Sequence, residues 1–307
     1  MSVTKDAPVG ASAGLSALPK NTLENFAKWG AALVRQPLVR TPPLPPSAFI
    51  AIILTLAVAI VAMFGIDTAA SNWAHHLPRW FIDAFEEITN FGLGGWFLIP
   101  SAFVFLCLAV VTAPTPPRIT RGVLAALAAR FGFLFLAVGA PGLFDTIIKR
   151  LIGRARPYVG SHDNPFAYNP FIWRSDYSSM PSGHSANVAA AAIAIGALSP
   201  KMRPVMWIFA LLIMFSRVVV LAHHPSDVIV GALVGAVGAV LVRRWFAARR
   251  LVFSAHELKA FPGPSLQRAM AAARQSFWII ARCGDEYEFH TVRHWTAPDA
   301  GPVRGDE

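Results

Sequence analysis

Residues 47–65 read SAFIAIILTLAVAIVAMFG, an uncharged apolar stretch that follows directly on Pro42, Pro43, Pro45 and Pro46. As a helix rising 1.5 Å per residue it would extend about 28 Å, close to the thickness of a bilayer's hydrocarbon core. The polar residues before it have no apolar core of their own, and a cleaved signal peptide places its short charged leader directly against its apolar region. The stretch is therefore expected to stay in the membrane as a first span. Five more apolar runs follow, at residues 94–113, 121–149, 184–199, 205–220 and 228–242. The second ends at the breaker Pro114-Thr115-Pro116-Pro117, the fourth at Pro200 and the last at Arg243-Arg244. The last three runs are short and rich in Ala, Gly and Val, which suits helices packed closely inside a bundle.

The rest of the composition agrees. Of 307 residues 55% are hydrophobic and only 14% charged, against about 25% charged in an average soluble domain. That excludes a disordered chain, and despite a net charge of +10 no nucleic acid partner is expected. Cys107 lies in an apolar run and Cys283 in a polar tail, which excludes a disulfide framework and a cysteine zinc site. The expected fold is an all-α integral membrane bundle of six transmembrane helices, with an interfacial outer helix. That helix falls within residues 72–91, where Phe81, Phe85 and Ile88 oppose Asp83, Glu86 and Glu87. Residues 1–46 are expected to form a partly disordered tail with a short helix near 22–34, residues 47–244 the six-span domain, and residues 245–307 a second tail. In that second tail Arg243-Arg244-Trp245-Phe246 and Arg249-Arg250 suit anionic headgroups, a helix is expected near 265–282, and the acidic end beyond Cys283 is expected to lack order.

Lys and Arg set the orientation. With the N-terminus inside, nineteen fall on the inner side and six on the outer: Arg79, Lys149, Arg150, Arg154, Arg156 and Arg174. Both termini are thus expected to be cytoplasmic. Arg130 and Arg217 lie within apolar runs, where a central Arg costs about 2.5–3.5 kcal/mol to insert, so each needs a reason. Arg130 is close enough to the inner end to snorkel, whereas Arg217 lies near the outer basic loop and is expected to be functional.

Three clusters converge on the outer ends of spans three to six: KRLIGRARP at 149–157, SMPSGHS at 179–185 and SRVVVLAHHPSD at 216–227. They supply three cations (Lys149, Arg156, Arg217), a helix start at Pro181-Ser182-Gly183, two histidines and a carboxylate. This is the inventory for phosphoryl transfer without metal, since guanidinium, ammonium and helix N-terminal N–H groups all match phosphate oxygens. A neutral histidine can attack phosphorus if its other nitrogen is held as N–H; Asp227, four residues after His223, is placed to hold it. His184 is left as general acid and then base. Lys149 and Arg156 share a helix face if span three continues past the membrane, and Asp145, one turn earlier, pairs with Lys149. His75 and His76 have no third ligand in view, so no metal site is expected.

Taken singly, each cluster is more often a solvated loop, a helix cap or a bland histidine. Together, Lys149 with Arg156-Pro157, Pro181-Ser182-Gly183-His184, and Ser216-Arg217 with His223 and Asp227 resemble the three-part signature of the type 2 phosphatidic acid phosphatase superfamily. The resemblance spans the chain from the first to the sixth apolar run, with the tails outside it. It implies a membrane lipid phosphatase needing no cofactor, with His223 forming a phosphohistidine, Asp227 orienting it and His184 as acid and base. Lys149, Arg156, Ser182, Gly183 and Arg217 would hold the phosphate. His224 takes a position that more often holds an aromatic and would line the site. Undecaprenyl pyrophosphate, phosphatidylglycerol phosphate, phosphatidic acid and lipid A phosphates all present such a group. Rival readings are a lipid phosphotransferase using the same histidine, a vanadate-dependent haloperoxidase (soluble, hence disfavoured), and, from another class, a transporter or channel. Phe166, Tyr168, Phe171, Trp173 and Tyr177, in the loop between the first two clusters, either rest on the membrane or pack the loop.

Overall fold

The computed structural model describes residues 11–111, 118–159 and 164–254. Within them the regular structure is helical, apart from one isolated bridge between Arg154 and Tyr168. The helices are α1 (Ala11–Val34), α2 (Pro46–Gly65), α3 (Asp67–His75), α4 (Arg79–Asn90), α5 (Gly95–Val111), α6 (Arg118–Ile152), α7 (Gly183–Leu198), α8 (Arg203–Val219) and α9 (Pro225–Ala248). The Pro114–Pro117 breaker, the helix expected near 265–282 and the acidic end lie outside the described residues.

Five helical segments are long and apolar enough to cross a membrane: Pro46–Gly65, Arg79–Val110, Gly122–Ile152, Pro200–Val219 and Pro225–Ala248. The sixth apolar element, α7, has 16 residues and extends about 24 Å. Its place in the bundle explains why it can be short. Ala186, Val188, Ala189, Ala190, Ala191, Ala192 and Ala194 are buried on every side of it, so α7 has no lipid-facing stripe to match to the bilayer. The outer helices show the opposite pattern, with Phe49, Ile53, Ile60, Phe103, Ile208 and Leu211 exposed where lipid would cover them. The chain is thus an all-α membrane bundle wrapped around α7.

Glycine makes the central contact possible. A Cβ on Gly235 would lie 2.0 Å from the Ala186 carbonyl oxygen, and one on Gly231 would lie 2.4 Å from that of Ser182. The backbones of α7 and α9 therefore touch, and the start of α7 is held beside the start of α9. At the same end, α4 lies on α8 through Phe85 and Phe215, whose ring centroids are 5.5 Å apart. Its residues Phe81, Ile82, Phe85 and Ile88 turn inward while Asp83, Glu86 and Glu87 are exposed, as the amphipathic spacing requires.

At the opposite end α1 packs on α5, where Asn25 Nδ2 donates to the Ala109 carbonyl at 2.8 Å and the Trp29 and Phe105 rings lie 4.7 Å apart. The chain after α1 is tied to α9: the N–H groups of Leu38 and Val39 both donate to the Ala248 carbonyl, at 2.9 and 3.1 Å. Phe246 and Phe253 fill the core beside Phe133. Arg130 is half-buried and donates to the Ala126 carbonyl one turn back.

Because Gly235 sits against backbone that cannot move aside, Gly235→Ala is expected to cost at least about 3 kcal/mol, the upper range of overpacking. Thermal unfolding of the detergent-solubilised protein measures this, and an unchanged melting temperature would refute the close α7–α9 approach.

Candidate active site

Four helix ends meet at one end of the bundle: the end of α6, the start of α7, the end of α8 and the start of α9. Lys149, in the last turn of α6, pairs with Asp145 at 2.7 Å, as the i,i+4 spacing anticipates. A Cβ on Gly183 would lie 3.2 Å from Lys149 Nζ, so the missing side chain seats the ammonium against the start of α7.

α6 stops at Ile152, and Gly153 follows with φ +61°, a conformation glycine adopts without steric cost. Lys149 and Arg156 therefore do not share a helix face, which would have required the helix to continue. Instead the chain turns, pairs Arg154 with Tyr168 and brings Arg156 back with its N–H donating to the Asp176 carbonyl at 2.8 Å.

Arg217, in the last turn of α8, is buried and donates from Nη1 to Thr89 Oγ1 on α4 at 2.7 Å. α4 thereby aims a cation of the bundle. Past α8 the chain folds back on itself, with the Ala222 and His223 N–H groups donating to the Arg217 carbonyl at 3.1 and 3.2 Å. That turn buries His223 with its Nδ1 2.7 Å from the Ser179 carbonyl oxygen. A carbonyl only accepts, so Nδ1 carries the proton and Nε2 keeps its lone pair. Burial, reinforced by Arg217, Arg156 and Lys149 nearby and opposed by the Ser179 hydrogen bond, pushes His223 well below the ordinary histidine value, so it is neutral at pH 7. His184, in the first turn of α7, lies beside Gly92, where a Cβ would come within 3.0 Å of its Cδ2. The first-turn N–H groups of α7, including those of Gly183 and His184, have no intrahelical acceptor. Ser182 precedes them, its N–H donating to the Asp227 carbonyl at 3.1 Å and its Oγ accepting from Ser185 Oγ at 3.0 Å.

Asp227 makes no hydrogen bond to the His223 ring, whose Nδ1 goes to Ser179. Its Oδ1 takes Arg154 Nη1 at 2.5 Å, and its Oδ2 takes the Ser179 hydroxyl at 2.6 Å and the His224 N–H at 2.9 Å. The residue behind this arrangement is Arg154, which sequence reasoning treated as one more basic residue of the loop. Its side chain is 0% exposed. It also donates from Nη2 to Asp67 Oδ2 at 2.8 Å, from Nη1 to Ser226 Oγ at 2.7 Å and from Nε to the Pro165 carbonyl at 2.9 Å. Burial works against its charge, but Asp227 and Asp67 outweigh it and hold the proton more tightly than usual. Asp67, at the start of α3, also accepts the Ser226 N–H at 3.0 Å. The sequence reading passed over it, although it is the only acidic residue between positions 47 and 82, a sign that it has a partner. His224 caps α9, buried, with Nδ1 3.4 Å from Ser71 Oγ on α3.

The cations are thus sorted. Arg154 is neutralised by two carboxylates and Lys149 shares Asp145, while Arg156 and Arg217 have no carboxylate partner among the described residues. Such an arrangement can take an anion with several oxygens beside a neutral nucleophilic nitrogen. The aromatic loop divides: Phe166 packs on Phe64 with centroids 5.1 Å apart, while Phe171 and Trp173 are 70% and 82% exposed.

The family described as PAP2 superfamily matches residues 130–251. The lipid A 1-phosphatase of Rhizobium johnstonii is 30% identical over 215 residues, covering 70% of this chain and 86% of that protein. The undecaprenyl-diphosphatase of Sulfolobus acidocaldarius is 36% identical over 107 residues, covering 32% and 50%. A crystal structure of a transmembrane PAP2 type phosphatidylglycerolphosphate phosphatase from Bacillus subtilis is 22% identical with a TM-score of 0.43, covering 65% of this chain and 94% of that one.

Replacing Arg154 with Met leaves two buried carboxylates unpaired and is expected to cost about 3–5 kcal/mol of stability. Arg174→Ala, which breaks only the exposed pair with Asp176, is expected to leave the melting temperature unchanged. Equal effects would show that the Arg154 cluster is not buried. The His223 value also has a sign: the unfolded chain takes up this proton near the ordinary 6.5 and the folded chain only at lower pH. Wild type should therefore lose stability relative to His223→Gln as pH falls from 7 to 5, and a constant difference would contradict a neutral, buried His223.

Proposed function

The chain belongs to the PAP2 superfamily, and from that premise we propose that it hydrolyses the phosphate of a lipid phosphate monoester or isoprenoid pyrophosphate through a phosphohistidine. The observation that carries this reading is His223, whose Nδ1 proton is held by a carbonyl while its charge environment is set by Lys149, Arg156 and Arg217. In the first step Nε2 of His223 forms a bond to phosphorus, the bond from phosphorus to the leaving oxygen breaks, and His184 gives that oxygen a proton. In the second step His184 takes a proton from water, whose oxygen displaces His223 and releases inorganic phosphate. Lys149, Arg156, Arg217 and the N–H groups that follow Ser182 and Gly183 neutralise the charge on the equatorial oxygens. Asp227 serves as the orienting carboxylate. Side-chain cations supply the charge that a metal would otherwise bring, so the reaction needs none.

Residues 47–244 form the catalytic unit, and the flanking segments 1–46 and 245–307 pack on it through α1, Phe246 and Phe253. The excess of Lys and Arg in the segments that the sequence assigns to the inner side, nineteen against six, supports cytoplasmic termini and a site on the outer face. Two exposed aromatics, Phe171 and Trp173, fit a loop at headgroup level where lipid enters. A relative that covers 70% of the chain is a lipid A 1-phosphatase, which makes a lipid A phosphate the first substrate to test, followed by undecaprenyl pyrophosphate and phosphatidic acid.

Phosphate release across such a panel, with protein in detergent and excess chelator, tests the reading. His223→Ala and His184→Ala, inserted normally, are expected to lose at least about 1,000-fold in kcat, as loss of a nucleophile or a proton donor does. Full activity in His223→Ala would end the nucleophile assignment, and loss of wild-type activity in chelator would end the metal-free one. A phosphorylated acceptor in place of free phosphate would mark a phosphotransferase.

A further inference from the structure

Ser179 lies two residues before the Pro-Ser-Gly-His stretch and makes three anchoring contacts at once. Its N–H donates to the Arg154 carbonyl at 3.0 Å, its hydroxyl to Asp227 Oδ2 at 2.6 Å, and its own carbonyl receives His223 Nδ1 at 2.7 Å. The residue is 0% exposed. Asp227, by contrast, makes no hydrogen bond to the His223 ring; its oxygens are engaged by Arg154, Ser179 and the His224 N–H.

Resting on the reading of His223 as nucleophile, we infer that Ser179 is the positioning residue through which Asp227 acts on it. The peptide carbonyl of Ser179 sets the tautomer and aim of the ring, and Asp227, gripping the hydroxyl of the same residue, sets the carbonyl. The physical requirement is directional. A carbonyl oxygen can accept Nδ1–H only while its peptide plane keeps one orientation. Residue 179 is held on either side of the bonds that orient this carbonyl: its N–H, in the preceding peptide, donates to the Arg154 carbonyl, and its side chain is gripped by Asp227. When Nε2 bonds to phosphorus, the ring becomes cationic with its Nδ1–H intact, so the hydrogen bond to Ser179 strengthens in the transition state. Loosening the carbonyl should therefore slow chemistry and leave substrate binding, which belongs to the cations, as it was.

The test is a double-mutant cycle on full-length protein in detergent, with kcat and KM measured on whichever lipid phosphate proves best. Ser179→Ala keeps the carbonyl and removes the hydroxyl. It is expected to lower kcat about 10- to 100-fold, the equivalent of one buried hydrogen bond, with KM within twofold. Asp227→Asn should do the same, and in the Ser179→Ala background it should add less than threefold, because both act through one contact. A full additional loss in the double variant would mean that Asp227 reaches His223 directly and would overturn the inference. Ser179→Cys, similar in size but a weak donor, should fall between wild type and Ala, and it serves if the Ala variant does not fold.

A second readout needs no turnover. Histidine-labelled protein, with the His223 signal identified by its loss in His223→Gln, should show a protonated Nδ1 by nitrogen NMR in wild type. Ser179→Ala or Ser179→Cys should shift part of that population to Nε2–H. An unchanged signal in either folded variant would overturn the positioning role. Absence of phosphate release from every lipid, with the tautomer shift present, would instead defeat the functional reading alone.

Discussion

A single guanidinium sealed from water, that of Arg154, holds the site end of the molecule together. It joins Asp67 at the start of α3, Asp227 at the start of α9 and the Pro165 carbonyl of the loop before α7. Isolated in a membrane protein's interior, any one of these charges would be prohibitive. Shared between two carboxylates and further satisfied by Ser226, they fix three segments distant in sequence. The reacting groups inherit that fixity, since Asp227 anchors Ser179 and Ser179 faces His223.

The same end of the bundle separates charges that build from charges that bind. Arg154 is spent on structure, Lys149 is steadied by Asp145, and Arg156 and Arg217 have no opposing carboxylate among the described residues. Arg217 is aimed by Thr89 of α4, so the region after the first span is part of the site's frame. Glycine at 183, 231 and 235 lets helix starts approach closely enough for N–H groups, an ammonium and a histidine to share one small volume.

Much of this was legible in one dimension. Apolar runs placed the six apolar helices, five of them long enough to cross a membrane, because each must satisfy its backbone internally as a helix. The i,i+4 pair of Asp145 and Lys149 and the amphipathic face of α4 follow from 3.6-residue periodicity and need no tertiary information. Two expectations depended on more. Arg156 shares a face with Lys149 only if the helix continues, and Gly153 breaks it first. Asp227 sits four residues from His223, and proximity in sequence pointed to a direct contact that a turn and a competing arginine prevent. Asp67 and Ser179 were not singled out at all, because their partners lie 159 and 48 residues away.

Sequence by itself determined the class of the molecule, its membrane spans, and the residue types gathered at one end, since hydropathy and helical period are local properties. Only the tertiary structure decided which cation faces which carboxylate. That choice depends on distances of a few ångströms between segments far apart in the chain, and in a water-poor interior those distances decide whether a charge is neutralised or left to bind. It made Arg154 a clamp, left Arg156 and Arg217 without an opposing carboxylate, and placed a peptide carbonyl where the spacing had pointed to an aspartate.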